Sequence, residues 1–258
     1  MPIIHETALV DAGARVAGDV EIGAYSIVGP EVTVGAGTRI GPHVVITGRT
    51  TLGARNRLFQ FASVGEIPQD RKYGGESTST TLGDDNVIRE FVSIHAGTAQ
   101  DRGTTTIGDG NLFLAYTHVA HDCAVGNHTT FSNNAQIAGH VVIGDYAVLG
   151  AYAGVHQFCR IGAHAMLAAG AIVLQDVPPF VTAAGYPAKP AGTNNEGLRR
   201  RGYSDADIAA VRRAYKTLYR SGLALDEARA RITGTAAEAP ILIALVAFLS
   251  ESGRGIVR

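Results

Sequence analysis

Four histidines, His118, His121, His140 and His156, are the residues of this chain best suited to chemistry. An unperturbed imidazole titrates near pH 6.5, about where a base must sit to take a proton from a hydroxyl at neutral pH. His121 is followed directly by Asp122, a carboxylate that could hold one ring nitrogen and leave the other free as the base. The spacing is regular: His140 lies 19 residues and His156 35 residues beyond His121, each one residue from a multiple of six. His118 precedes His121 by half of six. Clustered imidazoles could instead hold zinc with an open coordination position. The carboxylate beside His121 favours acid–base work, so no metal is expected. A purely structural or binding scaffold would explain the spacing but not the histidines.

The same interval of six runs through the elements that must position them. An aliphatic residue returns at every sixth position from Ile4 through Val10, Val16, Ile22 and onward to Val64. The phase resumes at Leu82, Ile88 and Ile94, then from Ile107 to Val173, where Phe113 and Phe131 are the non-aliphatic members. The following position is most often Gly or Ala. A helix would repeat near 3.6 residues and a half-buried strand near 2. Period six describes short strands joined by tight corners, the aliphatic side chain inside and the small residue letting the backbone turn. The repeat resembles that of the hexapeptide-repeat acyltransferases, which wind three hexads per turn. That resemblance implies a mainly β fold: a left-handed parallel β-helix over residues 1–190, then a small helical domain over 191–258. On such coils, stacked about 4.8 Å apart, His121, His140 and His156 fall near one vertical edge on consecutive turns.

Two stretches, 66–81 and 96–106, break the phase and are rich in Gly, Thr and charge. Both should loop out of the coil, where solenoids often carry function. Cys123 and Cys159 occupy the same place in their hexads, 36 residues apart. That is two coils, or about 9.5 Å, beyond the reach of a disulfide, so both read as core thiols. The repeat ends at Gln175-Asp176-Val177-Pro178-Pro179, since two prolines cannot continue strand pairing. Helical signals follow: Ser204 with Asp207 as a capping pair, then Ile208, Val211, Tyr215 and Leu218 at helical spacing. A second helix is expected from Asp226 and a third over Ile241 to Leu249.

Composition excludes several classes. The chain has 32 glycines but no Gly-X-Y period, and its wealth of Val and Ile rules out disorder. No basic segment with an apolar core follows Met1, so no signal peptide is expected. The apolar run Ile241–Leu249 is about half of the roughly 20 residues that a membrane span needs. A cytoplasmic protein without a transmembrane segment or nucleic-acid partner is expected. From Ala191 onward there are 11 basic and 7 acidic residues, a balance of +4 against −5 for the remainder, which gives the net −1.

Longer motifs narrow the family. FASVGEIPQDRKYGGE, THVAHDCAVGN, AGHVVIG, VHQFCRIGAH, QDVPPF, NNEGLRRRGYS and AYKTLYRSG span nearly the whole chain and resemble the UDP-N-acetylglucosamine acyltransferases of lipid A synthesis. The resemblance implies transfer of a 3-hydroxyacyl chain from acyl carrier protein to the sugar 3-hydroxyl, without a cofactor, by a homotrimer with sites between subunits. His121 would be the general base, Asp122 its orienting partner, and the Gly139 N–H the donor to the thioester oxyanion, an interaction worth about 2.7–4 kcal/mol of barrier. Gln69, Asp70 and Lys72 would hold the sugar and acyl portions. His95, His118, His140, His156 and Gln157 would line the cleft, and Asn194, Glu196 and Arg200 would grip the nucleotide. Ala169 would help to set acyl length; it stands where some members have Gly, and Pro187 where some have His. Arg199, Arg201, Arg212, Arg213, Lys216 and Arg220 would dock the acidic carrier protein. The alternatives are a zinc-dependent trimeric β-helix enzyme of the carbonic anhydrase type and an acetyltransferase of the same repeat family.

Overall fold

A computed structural model describes residues 1–251 and 254–258. Strands of mostly two residues, an outward residue followed by the inward aliphatic one, recur from Ile3–Ile4 to Ile172–Val173. Strands three places apart pair in parallel, which sorts them into three sheets of 11, 9 and 8 strands once the two closing strands are counted with the first. The three sheets are the first, second and third faces of a triangular prism, wound as a left-handed parallel β-helix. Along the first face the inward column runs in register from Ile88 to Phe113, Phe131, Leu149 and Leu167. These side chains are wholly buried and fill the prism with one continuous core.

The corners work differently from the simplest reading of the repeat. The small residue after each aliphatic is not the one that turns. It lies where successive coils approach most closely: a Cβ added at Gly23 would stand 2.7 Å from the carbonyl carbon of Gly41. The left-handed residue falls three places beyond the aliphatic. At the corner between the second and third faces it is Asp122 (φ 57°), then His140 (φ 65°), then Phe158 (φ 64°). Non-glycine residues rarely adopt this conformation. Stacking down the column offsets the strain, with the His140 and Phe158 rings 4.2 Å apart and 2° from parallel.

Both insertions leave the prism at the end of strands on the second face. The first spans residues 67–78, between strands Ser63–Glu66 and Ser79–Leu82; the second spans 96–103, between Ser93–His95 and Thr104–Ile107. Strands resume earlier than the hexad phase implies, because Ser79–Leu82 pairs in register with Arg49–Leu52 on one side and Thr104–Ile107 on the other. Cys123 and Cys159 are buried and free, and burial pushes the Cys123 thiol up to about 12.

The prism closes with strand Val181–Ala184 and its antiparallel partner Lys189–Thr193. Four α-helices follow among the described residues: α1 (Asn195–Arg200), α2 (Asp205–Tyr219), α3 (Leu225–Ala236) and α4 (Ile243–Glu251). The Ser204–Asp207 capping box opens α2, whose Ile208, Val211 and Leu218 enter a second apolar core. Helix α1, which has no hydrophobic periodicity, starts because Asn194 accepts a hydrogen bond from the Gly197 N–H. The final residues return to the prism. The Asp176 N–H donates to the Gly255 carbonyl (3.1 Å), and the Val257 N–H to the Asp176 carbonyl (2.9 Å). Among the described residues, no helix is long and apolar enough to cross a membrane.

Candidate active site

His121 sits at the corner between the second and third faces, one residue before the left-handed Asp122. Its Nδ1 lies 2.9 Å from Asp122 Oδ2. Asp122 is fully buried, which alone would disfavour its charge. The Thr98 hydroxyl donates to Oδ2 at 2.6 Å and the Thr98 N–H reaches both oxygens at 3.0 Å. With His121 and His140 beside it, these donors overcome desolvation and hold the carboxyl below its ordinary range. Asp122 is therefore an anion that orients the His121 ring. It also fastens the second insertion to the prism.

The opposite edge of the ring rests on the next coil. A Cβ added at Gly139 would come 2.6 Å from His121 Nε2, so a side chain there would displace the imidazole. His140 packs edge-on against His121, ring centroids 4.9 Å apart. Its Nδ1 lies 2.6 Å from Asp101 Oδ2 and 3.9 Å from Asp122 Oδ2. His118 faces Ser93 Oγ at 2.7 Å and meets His95 edge-on at 4.9 Å. Burial, and then the neighbouring His95 and His121, push the His118 pKa down to about 4. Burial lowers that of His95 as well. At neutral pH these two rings are uncharged, and Asp122 supplies the negative charge at the corner.

A groove of about 500 Å³ runs from this corner down the second face. His118, His121 and Gly139 line its upper end, with Gln69 reaching over from the first insertion and His156 and Gln157 on the next coil. Below, Gln136, Gly154 and Ile172 stand in register on three successive coils. The missing side chain at Gly154 opens the channel, and Leu174 lines its lower part. His95 and His140 support the lining from behind. The three histidines of the edge occupy three adjacent columns rather than one: His140 stacks under Asp122, while His121 and His156 each stand in a column of their own.

An oriented imidazole above an elongated channel suits acyl transfer to a hydroxyl. The comparisons with known proteins decide the family. The model described as "Udp N-acetylglucosamine O-acyltransferase; Domain 2" matches residues 176–257, and the bacterial transferase hexapeptide model matches 1–36, 104–139 and 140–175. The acyl-[acyl-carrier-protein]–UDP-N-acetylglucosamine O-acyltransferase of Thiobacillus denitrificans is 54% identical over 258 residues, covering 100% of both chains. The chain belongs to the UDP-N-acetylglucosamine O-acyltransferase family. The Neisseria gonorrhoeae acyltransferase of the same name is 53% identical, again over 100% of both chains. Solved acyltransferase structures superpose closely. LpxA of Acinetobacter baumannii has a TM-score of 0.97 at 47% identity (99% of this chain, 100% of that one). The Moraxella catarrhalis enzyme has 0.96 at 44% (99% of each).

The remaining residues that the family resemblance points to lie elsewhere. Asn194, Glu196 and Arg200 line a separate cavity of about 680 Å³ on the first face, with His128, Tyr146 and Met166. Within one acyltransferase chain they therefore do not share a cavity with His121. The Asn194 side chain is engaged internally, accepting from the Gly197 N–H at 3.1 Å and donating to the His164 carbonyl at 3.0 Å. Glu196 pairs with Arg200 at 3.3 Å and Arg199 at 3.6 Å. Arg201 donates to the Gly197 carbonyl at 3.0 Å and lies over the Tyr146 ring. Asp70 accepts from the Lys72 N–H at 3.0 Å within the first insertion, and Gln69 alone of that trio lines the groove. Ala169 is exposed at the corner between the first and second faces, outside the groove lining but three residues before Ile172.

The basic residues do not form a single patch. Arg212, Lys216 and Arg220 line a hollow with Tyr215 beside strand Lys189–Thr193. Arg213 points into a different hollow, with Thr217 and Arg231, between α2 and α3. Thr98 and Asp101 are the partners of Asp122 and His140 that residue patterns did not single out. The only signal was that they lie in an insertion. His121, Asp122 and His140 also bring one ligand atom each within 4.8 Å of one another, a spacing that a metal ion could use.

Proposed function

We propose that this chain transfers a 3-hydroxyacyl group from acyl carrier protein to the 3-hydroxyl of UDP-N-acetylglucosamine, the first step of lipid A synthesis, with His121 as general base. Its relatives, named for this activity, support the reading. The observation that carries it is the His121–Asp122–Thr98 chain, with the far edge of the ring over Gly139. Asp122 keeps the proton on Nδ1, so Nε2 is the free base. Nε2 takes the proton of the 3-hydroxyl as that oxygen attacks the thioester carbonyl. The Gly139 N–H stabilises the resulting oxyanion, a donor of a kind worth about 2.7–4 kcal/mol. Collapse breaks the C–S bond, and the imidazolium returns its proton to the departing phosphopantetheine sulfur.

The separation of the two cavities supports a trimer. A second copy that lays its first face against the second face of its neighbour brings Glu196 and Arg200 to the His121 groove, where a guanidinium fork suits a diphosphate. Repeating that contact three times closes a ring with three equal sites. The lower groove, with Gly154, Ile172 and the neighbouring corner at Ala169, then holds the acyl chain. Arg212, Lys216 and Arg220 offer the acidic carrier protein a basic surface. A cytoplasmic location belongs to the same reading.

Zinc at His121, Asp122 and His140 is the second reading, because their ligand atoms converge. Asp122 already accepts from Thr98 twice and from His121, and His140 Nδ1 is engaged by Asp101, so the polar atoms a metal would need are in use. The test of the acid–base reading is His121→Ala. Turnover should fall by about 10²-fold or more with the melting temperature nearly unchanged, while mass spectrometry of the wild-type product identifies the acylated sugar nucleotide. Near-normal turnover in the variant would remove His121 as the base.

A further inference from the structure

The end of the chain reaches the groove at a point that no motif marks. Gly255 and Val257 are hydrogen-bonded to Asp176, Val257 is buried in the prism core, and Ile256 in the helical core. This anchored segment sets Arg254 beside the groove wall, 98 residues from His156 in sequence. Arg254 Nη1 lies 3.0 Å from His156 Nδ1 and 2.5 Å from the Gln157 carbonyl oxygen. The guanidinium also stands 6.0 Å from the centroid of the Phe158 ring.

The chemistry of these contacts is one-sided. A guanidinium has only N–H donors and keeps its charge at any relevant pH. His156 Nδ1 must therefore accept, which means that it carries no proton. The same nitrogen lies 3.2 Å from the Gln157 carbonyl, and without Arg254 a proton on Nδ1 would bond to that oxygen. Arg254 takes the carbonyl itself and reverses the preference. We propose that Arg254 is a positioning residue that locks His156 as the neutral tautomer with its proton on Nε2. His156 then presents a hydrogen-bond donor to the groove, the reverse of His121, whose Nε2 is an acceptor. One site so holds two neutral imidazoles in opposite tautomers, one set by a carboxylate and one by a guanidinium. The donor suits a carbonyl or hydroxyl oxygen of the bound substrate. Its use in catalysis rests on the proposed function, whereas the tautomer does not.

Nitrogen-15 NMR of histidine-labelled full-length protein reads the tautomer directly, with His156→Gln assigning the resonance. The wild-type ring should show protonated Nε2 and bare Nδ1. Arg254→Met should shift it toward protonated Nδ1, and Arg254→Lys, still a pure donor, should retain part of the wild-type pattern. In kinetics, Arg254→Met should lower kcat/KM roughly two- to tenfold, the worth of one hydrogen bond. It should add no further loss in a His156→Gln background. A wild-type ring protonated on Nδ1 would overturn the inference, and so would equal kinetic losses in both backgrounds, which would mark Arg254 as merely structural. A tautomer that shifts with no kinetic change would uphold the Arg254–His156 link and remove the groove from the reaction instead.

Discussion

Replacing Asp122 by Asn tests the proposed site most sharply, because it removes a charge while nearly preserving shape. Oδ2 accepts from His121 at 2.9 Å and from the Thr98 hydroxyl at 2.6 Å, while the Thr98 N–H faces both oxygens. An amide cannot satisfy all of these donors. If its oxygen stays toward His121, the NH₂ opposes the Thr98 N–H. If it flips, the NH₂ donates to Nδ1 and drives the ring proton onto Nε2, which disables the base. Charge loss adds to this. At 2.9 Å and an effective dielectric of about 20, an imidazolium–carboxylate pair is worth at most about 6 kcal/mol. The His121 side chain is 13% exposed, so water recovers part of that. A fall in kcat of about 10²–10⁴, equivalent to about 3–5.5 kcal/mol, should result. KM should change little, because Asp122 is fully buried and lies out of reach of substrate. Steady-state assay with the carrier-protein thioester, beside a melting curve, measures both. A kcat within threefold of wild type in a folded variant would refute the argument that Asp122 sets the tautomer.

Acid should act through the same residues. Asp122 is depressed, so its contribution to stability is complete above the ordinary aspartate range, near pH 3.9, and is lost as pH falls through its lower folded value. The stability gap between wild type and Asp122→Asn should narrow only in that strongly acid window, as read by denaturant titrations. His118 is also depressed, from 6.5 to about 4, so its contribution fades as pH falls from about 6.5 to 4; His118→Gln should flatten the pH dependence of unfolding across that window. Chelation should leave activity intact; loss on chelation with recovery on adding zinc would favour the metal reading. Charge reversal at Arg212 and Lys216 should raise KM for the carrier-protein donor but not for a short pantetheine thioester, and high salt should mimic it. Reversal at Arg213, which faces α3, should do much less, and an equal effect would contradict the two-hollow arrangement.

Much of the architecture is legible because the hexad phase is a burial record. An inward side chain every sixth residue leaves no other element able to hide it, so the short strands and corners follow from counting, whereas the three faces, and with them the edge near His121, came from the family resemblance. The loops were legible only as interruptions. Thr98 and Asp101 reach Asp122 and His140 across 24 and 39 residues, and no periodicity encodes where a looped segment lands. Arg212 and Arg213 show a second limit. Adjacent basic residues look like one patch in sequence, yet consecutive positions on a helix diverge by about 100°, and α3 claims Arg213. Asn194 shows a third. Its motif suggests a ligand contact, whereas its amide caps α1 and ties it to His164, so under the proposed function it acts through the placement of Glu196 and Arg200.

The register of Gln136, Gly154 and Ile172 makes the groove a graduated scale. Its divisions are coils, about 4.8 Å each, and backbone hydrogen bonds to the coils above and below prevent any of them from sliding. The channel cannot be stretched gradually. It can be retuned within a division by exchanging one outward residue, as the bare backbone at Gly154 illustrates, or reset by adding or removing a complete turn. A single extra hexad above His156 would be ruinous, since it would carry every later corner one face around the prism and separate His156 from Gly139. Heritable length variation in this protein is thus indexed. Whole turns can be inserted or lost, and free-length segments can leave at an edge, as the two insertions at 67–78 and 96–103 do; intermediate changes break the alignment that the chemistry requires.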